Sequence, residues 1–387
     1  MHTYYENLYK NKWFSWIKKH KGKICMKSLA LNDNLTINMI LKNPELDWNF
    51  REISKNRAIV TIDILLKYPY FKWNYEYIST YLPWHGIKNN PQLFNNFYYI
   101  SQNMSITEKI IEEHIHYSWN WKQLSKNPNI KEDFIIKYID KQWNYLFLTT
   151  RSDLSFYFFL EFQEYFLDED NSYSTFFSNL SQNSGITPKI IEENPMFNWD
   201  WNTMTYNDSL TIDFIKKHID NDWDWNILAT CNSISWKDIE KNKDLYWIYD
   251  LISCSPKVDM KIIEKNKDIS FNPKYLSYNP NLKIEDIQKN HDIKWDWNIL
   301  SKNNNVNIFQ CKDENIHWGN ASLHYYLTSN IIDKNLDKNL DWWNISSHSF
   351  KYDKKLFIKE CLKKIIFRYF KNKLCDDVLY IILSYII

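Results

Sequence analysis

Glycine is almost missing from this chain of 387 residues, which carries four (Gly22, Gly86, Gly185 and Gly319), none close to another. Dinucleotide-binding and P-loop proteins cradle phosphate on closely spaced glycines that allow a tight turn and close backbone approach. Those two enzyme classes are therefore excluded. A surplus of one charge is missing too: 48 basic residues stand against 47 acidic ones, for a net charge of +1. A dedicated nucleic-acid binder needs a positive footprint that this balance does not supply. The six cysteines, Cys25, Cys231, Cys254, Cys311, Cys361 and Cys375, are scattered with no CxxC pair, the pattern of reduced thiols in a cytosol-like compartment. No basic-then-apolar leader opens the chain. The longest strongly apolar terminal run, 378–387, is about half of the roughly 20 residues a membrane-spanning helix needs. A soluble intracellular protein is expected.

Catalytic signatures are equally sparse. His114 and His116 form the closest histidine pair, but a zinc centre needs three or four converging ligands and none stands at a recognisable spacing. No G-x-S-x-G elbow and no Cys/His pattern marks a nucleophile. The expectation is a non-enzyme with no metal and no cofactor.

Aromatic residues are what the chain has in abundance: 19 Trp, 27 Tyr and 22 Phe. They follow a period. Segments such as Trp199–Thr205, Trp223–Ala229 and Trp295–Ser301 share an aromatic-x-aromatic, two spacers, an aliphatic and a small residue. Aligned on the last position, the units end at Ser54, Ser79, Ser101, Ser125, Thr149, Ser181, Thr205, Ala229, Ser253, Ser277, Ser301, Ser322 and Ser346, mostly 24 residues apart. The second aromatic column reads Phe50, Tyr75, Phe97, Trp121, Tyr145, Phe177, Trp201, Trp225, Tyr249, Trp297, Trp318 and Trp342, with Pro273 the exception.

Each unit reads as two short helices. Thr36, Thr61, Thr107, Thr187, Thr211 and Ser235 stand where a side-chain oxygen caps a first turn, with Pro188 at a first helical position. Aliphatic residues before each cap and four residues after it have hydrophobic-staple spacing. Asn49, Asn74, Asn120, Asp200, Asp224 and Asp296 open the second helix in the same way. The Asp of Trp-Asp-Trp recurs in several copies, which fits capping and not catalysis, since catalysis needs one asymmetric constellation. A strand reading of Trp-Asp-Trp competes through its alternation; the next aliphatic, three residues beyond the second aromatic, favours a helix.

Helices this short cannot stand alone in water, so stability must come from stacking unit on unit. The expected fold is all-α: an elongated solenoid of about thirteen 24-residue helix-turn-helix repeats over 28–347, with irregular units at about 150–181 and 302–322. Residues 1–27 and 348–387 are expected as helical caps. The expected core of the repeats comprises Trp121, Trp201, Trp225, Trp297, Trp318 and Trp342 with Ile191, Ile215, Ile239, Ile263 and Ile287.

Two resemblances add to this reading. Asn279–Ile287 and Trp295–Ser301 resemble the Trp/Asn/Pro-rich short tandem repeats of proteins encoded by giant DNA viruses of amoebae, and the likeness covers most of the chain. It implies a viral origin and a location in the cytoplasm of the infected host cell, in a viral factory or in the virion. Near the C-terminus, Leu374, Asp377, Val378, Leu379, Ile382, Leu383, Ser384, Tyr385 and Ile386 resemble the first helix of an F-box, with Cys375 in place of its proline and no further helices after it. That resemblance implies docking on a Skp1-family protein of a ubiquitin ligase. The expected function is a protein–protein interaction scaffold that binds a host or viral protein and presents it to such a ligase, with no membrane partner. A structural virion or viral-factory component and a single-stranded RNA-binding repeat protein are the alternatives, and a terminal helix that merely seals the last repeat is the alternative for 374–386.

Overall fold

The computed structural model describes residues 2–166, 173–311 and 315–370. Among them every regular element is helical: twenty-nine α-helices and one 3-10 turn, with no strand. The strand reading of Trp-Asp-Trp is thereby overturned, because the second aromatic is the first residue of a helix (Trp201–Met204, Trp225–Thr230, Trp297–Leu300). No helix among the described residues is long and apolar enough to cross a membrane. The chain divides into two compact units, Asn74–Asn281 and Met1–Trp73 with Leu282–Ile387.

In the Asn74–Asn281 unit, helices of about one and a half turns alternate with one-turn helices, and caps set their starts. Thr107 and Thr211 accept from the amides of Ile110 and Phe214. Ser235 forms a reciprocal capping box with Asp238, which satisfies two orphan donors at once. Thr187 differs: its hydroxyl makes no cap bond, and Pro188 simply removes one amide that would need a partner. Asn120, Asp200 and Asp224 cap the second helices through their side-chain oxygens.

Consecutive second helices lie side by side, as Trp225–Thr230 does on Tyr249–Ser253 and the latter on Pro273–Leu276. Two hydrogen-bond ladders lock them. In the first, the small hydroxyl at the end of one unit accepts the amide that opens the second helix of the next. Ser101 Oγ takes the amide of Asn120 at 2.9 Å, Ser125 that of Asn144 at 2.8 Å, and Ser181 that of Asp200 at 2.9 Å. In the second, an asparagine two residues later donates its Nδ2 to carbonyls of the unit before. Asn207 reaches Ser181 O, Asn183 O and Ile186 O at 3.0, 2.9 and 2.8 Å, while its Oδ1 accepts from Ser209 N. Asn103, Asn183 and Asn279 do the same. These amides are buried, where an unpaired polar group would be costly.

The irregular stretch near 150–181 is an insertion. Phe156–Glu161, capped by Ser155, is the regular first helix of this unit; Gln163–Phe166 is added after it, and the second helix lengthens to Tyr173–Gln182. Phe158, Phe159, Phe166 and Phe176 form its buried aromatic plug. The ladder runs past it: Asn183 Nδ2 donates to Thr149 O at 2.7 Å and Arg151 O at 3.1 Å. Backbone comes close here, since a Cβ on Gly185 would lie 2.8 Å from Ser152 O.

In the other unit the shortened stretch near 302–322 replaces the first helix by the 3-10 turn Ile308–Gln310. Both terminal segments, expected as caps, belong to this unit and pack on each other. The helix His2–Lys19 lies against Lys351–Phe370, joined by Tyr9 Oη to Phe350 O and Asp353 Oδ2 and by a 3.2 Å Lys354–Glu6 ion pair. The ladder itself passes through the two ends. Cys25 N donates to Ser346 Oγ at 2.8 Å, Asn32 Nδ2 to Ser346 O and His348 O, and Asn56 Nδ2 to Ala30 O and Asn32 O. Residues 25–32 thus stand as the rung that follows 346–348.

Candidate interaction surface

A binding face on such a framework is built from positions that the ladders leave free. The residue after the second aromatic, at the second position of each one-turn helix, points to solvent in unit after unit: Tyr98, Lys122, Leu146, Asn202, Asn226, Asp250 and Lys274 are all exposed. The residue before it is aromatic except at Pro273, and two and three residues after it stand an apolar and a small residue. The backbone is held by buried bonds, so each exposed side chain can change without disturbing the fold. Tyr98 and Leu146, 48% and 45% exposed, flank Lys122 on three consecutive second helices. The patch pairs two apolar side chains with one ammonium, a mixture suited to a protein surface.

Behind this face, the two aromatic columns have different tasks. The tryptophans of the second column are half-buried, at Trp121, Trp201, Trp225, Trp297, Trp318 and Trp342, whereas Phe177 is buried. Trp121, Trp201 and Trp225 each meet the first-column indole of the next unit edge-on, at 5.1, 5.4 and 5.3 Å between centroids from Trp143, Trp223 and Trp247. Trp342 instead packs against Trp16 and His20 of the N-terminal helix. The first column is the more deeply buried one, with Trp119, Trp143, Trp199, Trp223 and Trp247 in the core. Each donates its indole N–H to a carbonyl five residues earlier, as Trp223 does to His218 O at 2.9 Å and Trp247 to Asn242 O at 2.7 Å. That carbonyl ends the preceding helix, so the indole works as a C-terminal cap as well as a hydrophobic staple. Among the isoleucines, Ile191, Ile215, Ile239 and Ile287 are buried, whereas Ile263 is half-buried and Met260 takes a buried place in the same helix.

The asparagine ladder was not foreseen from the sequence, although its signal is there: Asn56, Asn103, Asn127, Asn183, Asn207, Asn279 and Asn303 all lie two residues after the aligned hydroxyl. At several rungs without asparagine, other donors reach carbonyls of the unit before. Arg151 donates to Ile130 O at 2.7 Å and to Ser125 O at 3.4 Å while pairing with Asp153, and that pairing holds the Asp153 carboxyl below its usual range. Lys257 Nζ reaches Ala229 O at 3.1 Å and Leu228 O at 3.3 Å; burial lowers its pKa by disfavouring the ammonium. His324 and His348 donate Nε2–H to Asn303 O and His324 O, both at 3.0 Å, and accept the amides of Tyr326 and Phe350 on Nδ1. Burial pushes both imidazoles down to about 4.

Ion pairs between neighbouring units, Lys137–Glu112 at 2.6 Å and Lys217–Glu192 at 2.8 Å, lie on the outside and are worth little each. The shifted titratable groups thus serve the framework. His114 and His116 lie 6.3 Å apart between ring centroids, and among the described residues no group of three or more His, Cys, Asp or Glu could hold a metal. The docking residues expected at the C-terminus, Leu374, Asp377, Val378, Leu379, Ile382, Leu383, Tyr385 and Ile386, lie outside the described residues.

No family model matches the chain, and neither the curated proteins nor the solved structures contain a match to it.

Proposed function

We propose that this chain is a repeat scaffold whose stacked helix-turn-helix units, about thirteen of 24 residues, present a protein-binding face and carry out no catalysis. The reading rests on one observation: side chains that change from unit to unit stand exposed on one-turn helices whose backbone is locked by buried Ser/Thr and Asn bonds. A framework of this kind separates what holds the fold from what meets a partner, and stacked repeats offer extended surfaces for that purpose. Binding energy would concentrate in a few exposed apolar anchors such as Tyr98 and Leu146.

The finer proposal is a viral adaptor in the cytoplasm of an infected cell, with the array holding a host or viral protein and 374–386 docking on a Skp1-family protein. It is supported by the sequence resemblances alone. Affinity purification with the intact chain tests the scaffold. A partner retained by the intact chain and by Met196→Ser, but lost from Tyr98→Ser/Leu146→Ser at unchanged helical circular dichroism, supports it; equal retention by all three overturns it. The adaptor is tested separately by mixing a purified Skp1-family protein with the intact chain and with a chain ending at residue 373. Absence of a complex with the intact chain ends that proposal and leaves the scaffold standing.

A further inference from the structure

The balanced net charge hides a strong local asymmetry. Residues 1–27 hold seven lysines, Lys10, Lys12, Lys18, Lys19, Lys21, Lys23 and Lys27, against the single acid Glu6. The structure shows which of these positive charges are answered. Lys19 pairs with Asp333 at 3.2 Å, and Glu6 is engaged by Lys354. Lys12 and Lys23 lie over the rings of Phe357 and Trp342.

Lys18 lies 5.7 Å from the ring centroid of Phe14, and Lys10 and Lys18 together with Lys42 line a cleft of about 570 Å³ between the N-terminal helix and the short helix Ile37–Leu41. No carboxylate lines this cleft. Its other polar groups are the amides of Asn7, Asn11, Asn38 and Asn43 and the hydroxyls of Ser15 and Thr36, with Phe14 and Met39 as an apolar floor. The wall formed by the N-terminal helix is held firmly. Trp16 Nε1 ties the N-terminal helix to Asp333 Oδ1 at 2.9 Å, and Phe14 stacks on Trp48 at 6.4 Å. Lys10 and Lys18 are eight residues apart on one helix, about 12 Å along its axis.

Three lysines line a concavity of small-ligand size, beside asparagine amides that can donate hydrogen bonds and with no carboxylate among the lining residues; the Ser15 hydroxyl is already donated to Asn11 O at 2.9 Å. We infer that this cleft binds a compact, multiply phosphorylated anion. Its phosphates bridge the lysines, and the asparagine amides supply the charge-assisted hydrogen bonds that follow. The inference is independent of the protein-binding face, which lies on the Asn74–Asn281 unit.

The test is calorimetric titration of the full chain with inorganic tripolyphosphate at about 0.15 M salt, where exposed charges more than roughly 8 Å apart are largely screened. Saturable binding is expected, weakened at least tenfold in Lys10→Gln/Lys18→Gln/Lys42→Gln and unchanged in Lys126→Gln/Lys237→Gln/Lys289→Gln, three exposed lysines elsewhere. Thermal unfolding of both variants without ligand checks that each is folded. No isotherm with the intact chain, or equal loss in both variants, overturns the inference. So does retention of a single-stranded oligonucleotide that depends on the three cleft lysines while tripolyphosphate fails to bind, since the cleft would then serve a nucleic-acid backbone.

Discussion

Asn207 and His348 occupy the same kind of rung in the two units and solve it with different chemistry. The asparagine offers a neutral amide that donates to three carbonyls and accepts one amide. The histidine reproduces this with two ring nitrogens, donating through Nε2 to His324 O and accepting Phe350 N on Nδ1. Geometry is shared and titration is not. A proton added to Nδ1 would face a backbone N–H, so the histidine rung works only while neutral. Hydrogen-bond geometry alone therefore does not select the residue at a rung, and the choice determines which unit responds to acid.

The largest expected effect exploits that difference. The unfolded chain takes up its histidine protons near pH 6.5, whereas folded His324 and His348 do so only at about 4. Between those values the unfolded state binds more protons, so stability present above pH 6.5 is lost as pH falls to about 4. The loss amounts to about 3 kcal/mol for each histidine. Denaturant unfolding followed across this range should show the decline in the native chain and a much flatter profile in His324→Asn/His348→Asn. An unchanged profile would mean that the two rungs are equivalent after all.

A smaller effect is expected from breaking an asparagine rung. Asn207→Leu keeps similar bulk but takes its donor from Ser181 O and its acceptor from the amide of Ser209, while Asn183 O keeps Ile186 N and Ile186 O keeps Ser209 Oγ, which should cost about 2 kcal/mol at any pH. A loss under 1 kcal/mol in chemical denaturation would show that water or neighbouring groups can replace the amide. Smaller still is Trp223→Phe, which retains an aromatic staple while removing the indole donor to His218 O. About 1.5 kcal/mol should be lost, again read from the denaturant midpoint, and no loss would reduce the indole N–H to a bystander.

Much of the local structure was legible beforehand. The caps at Thr61, Thr107, Thr211, Asn120 and Asp200 stand where spacing put them, because a capping oxygen and its target amide are only three residues apart. Irregularity near 150–181 was visible as a break in period, and the structure fills it with an aromatic plug. Less visible was the division of labour between tryptophan columns. Both recur every 24 residues, so period alone could not say that Trp199 and Trp223 are buried while Trp201 and Trp225 are half-buried. Nor did the alignment on small hydroxyls reveal why Asn207 follows Thr205 by two, since its partners belong to another unit.

What the amino-acid order determined by itself is helix, start point and repeat length, each a matter of contacts within a few residues. Tertiary structure alone decided that Cys25 and Asn32 complete the rung after Ser346 and His348, that Tyr9 meets Phe350, and that Lys10, Lys18 and Lys42 share one cleft. Such pairings depend on which carbonyls remain unsatisfied once neighbouring units have stacked, and that is known only when every other rung is in place.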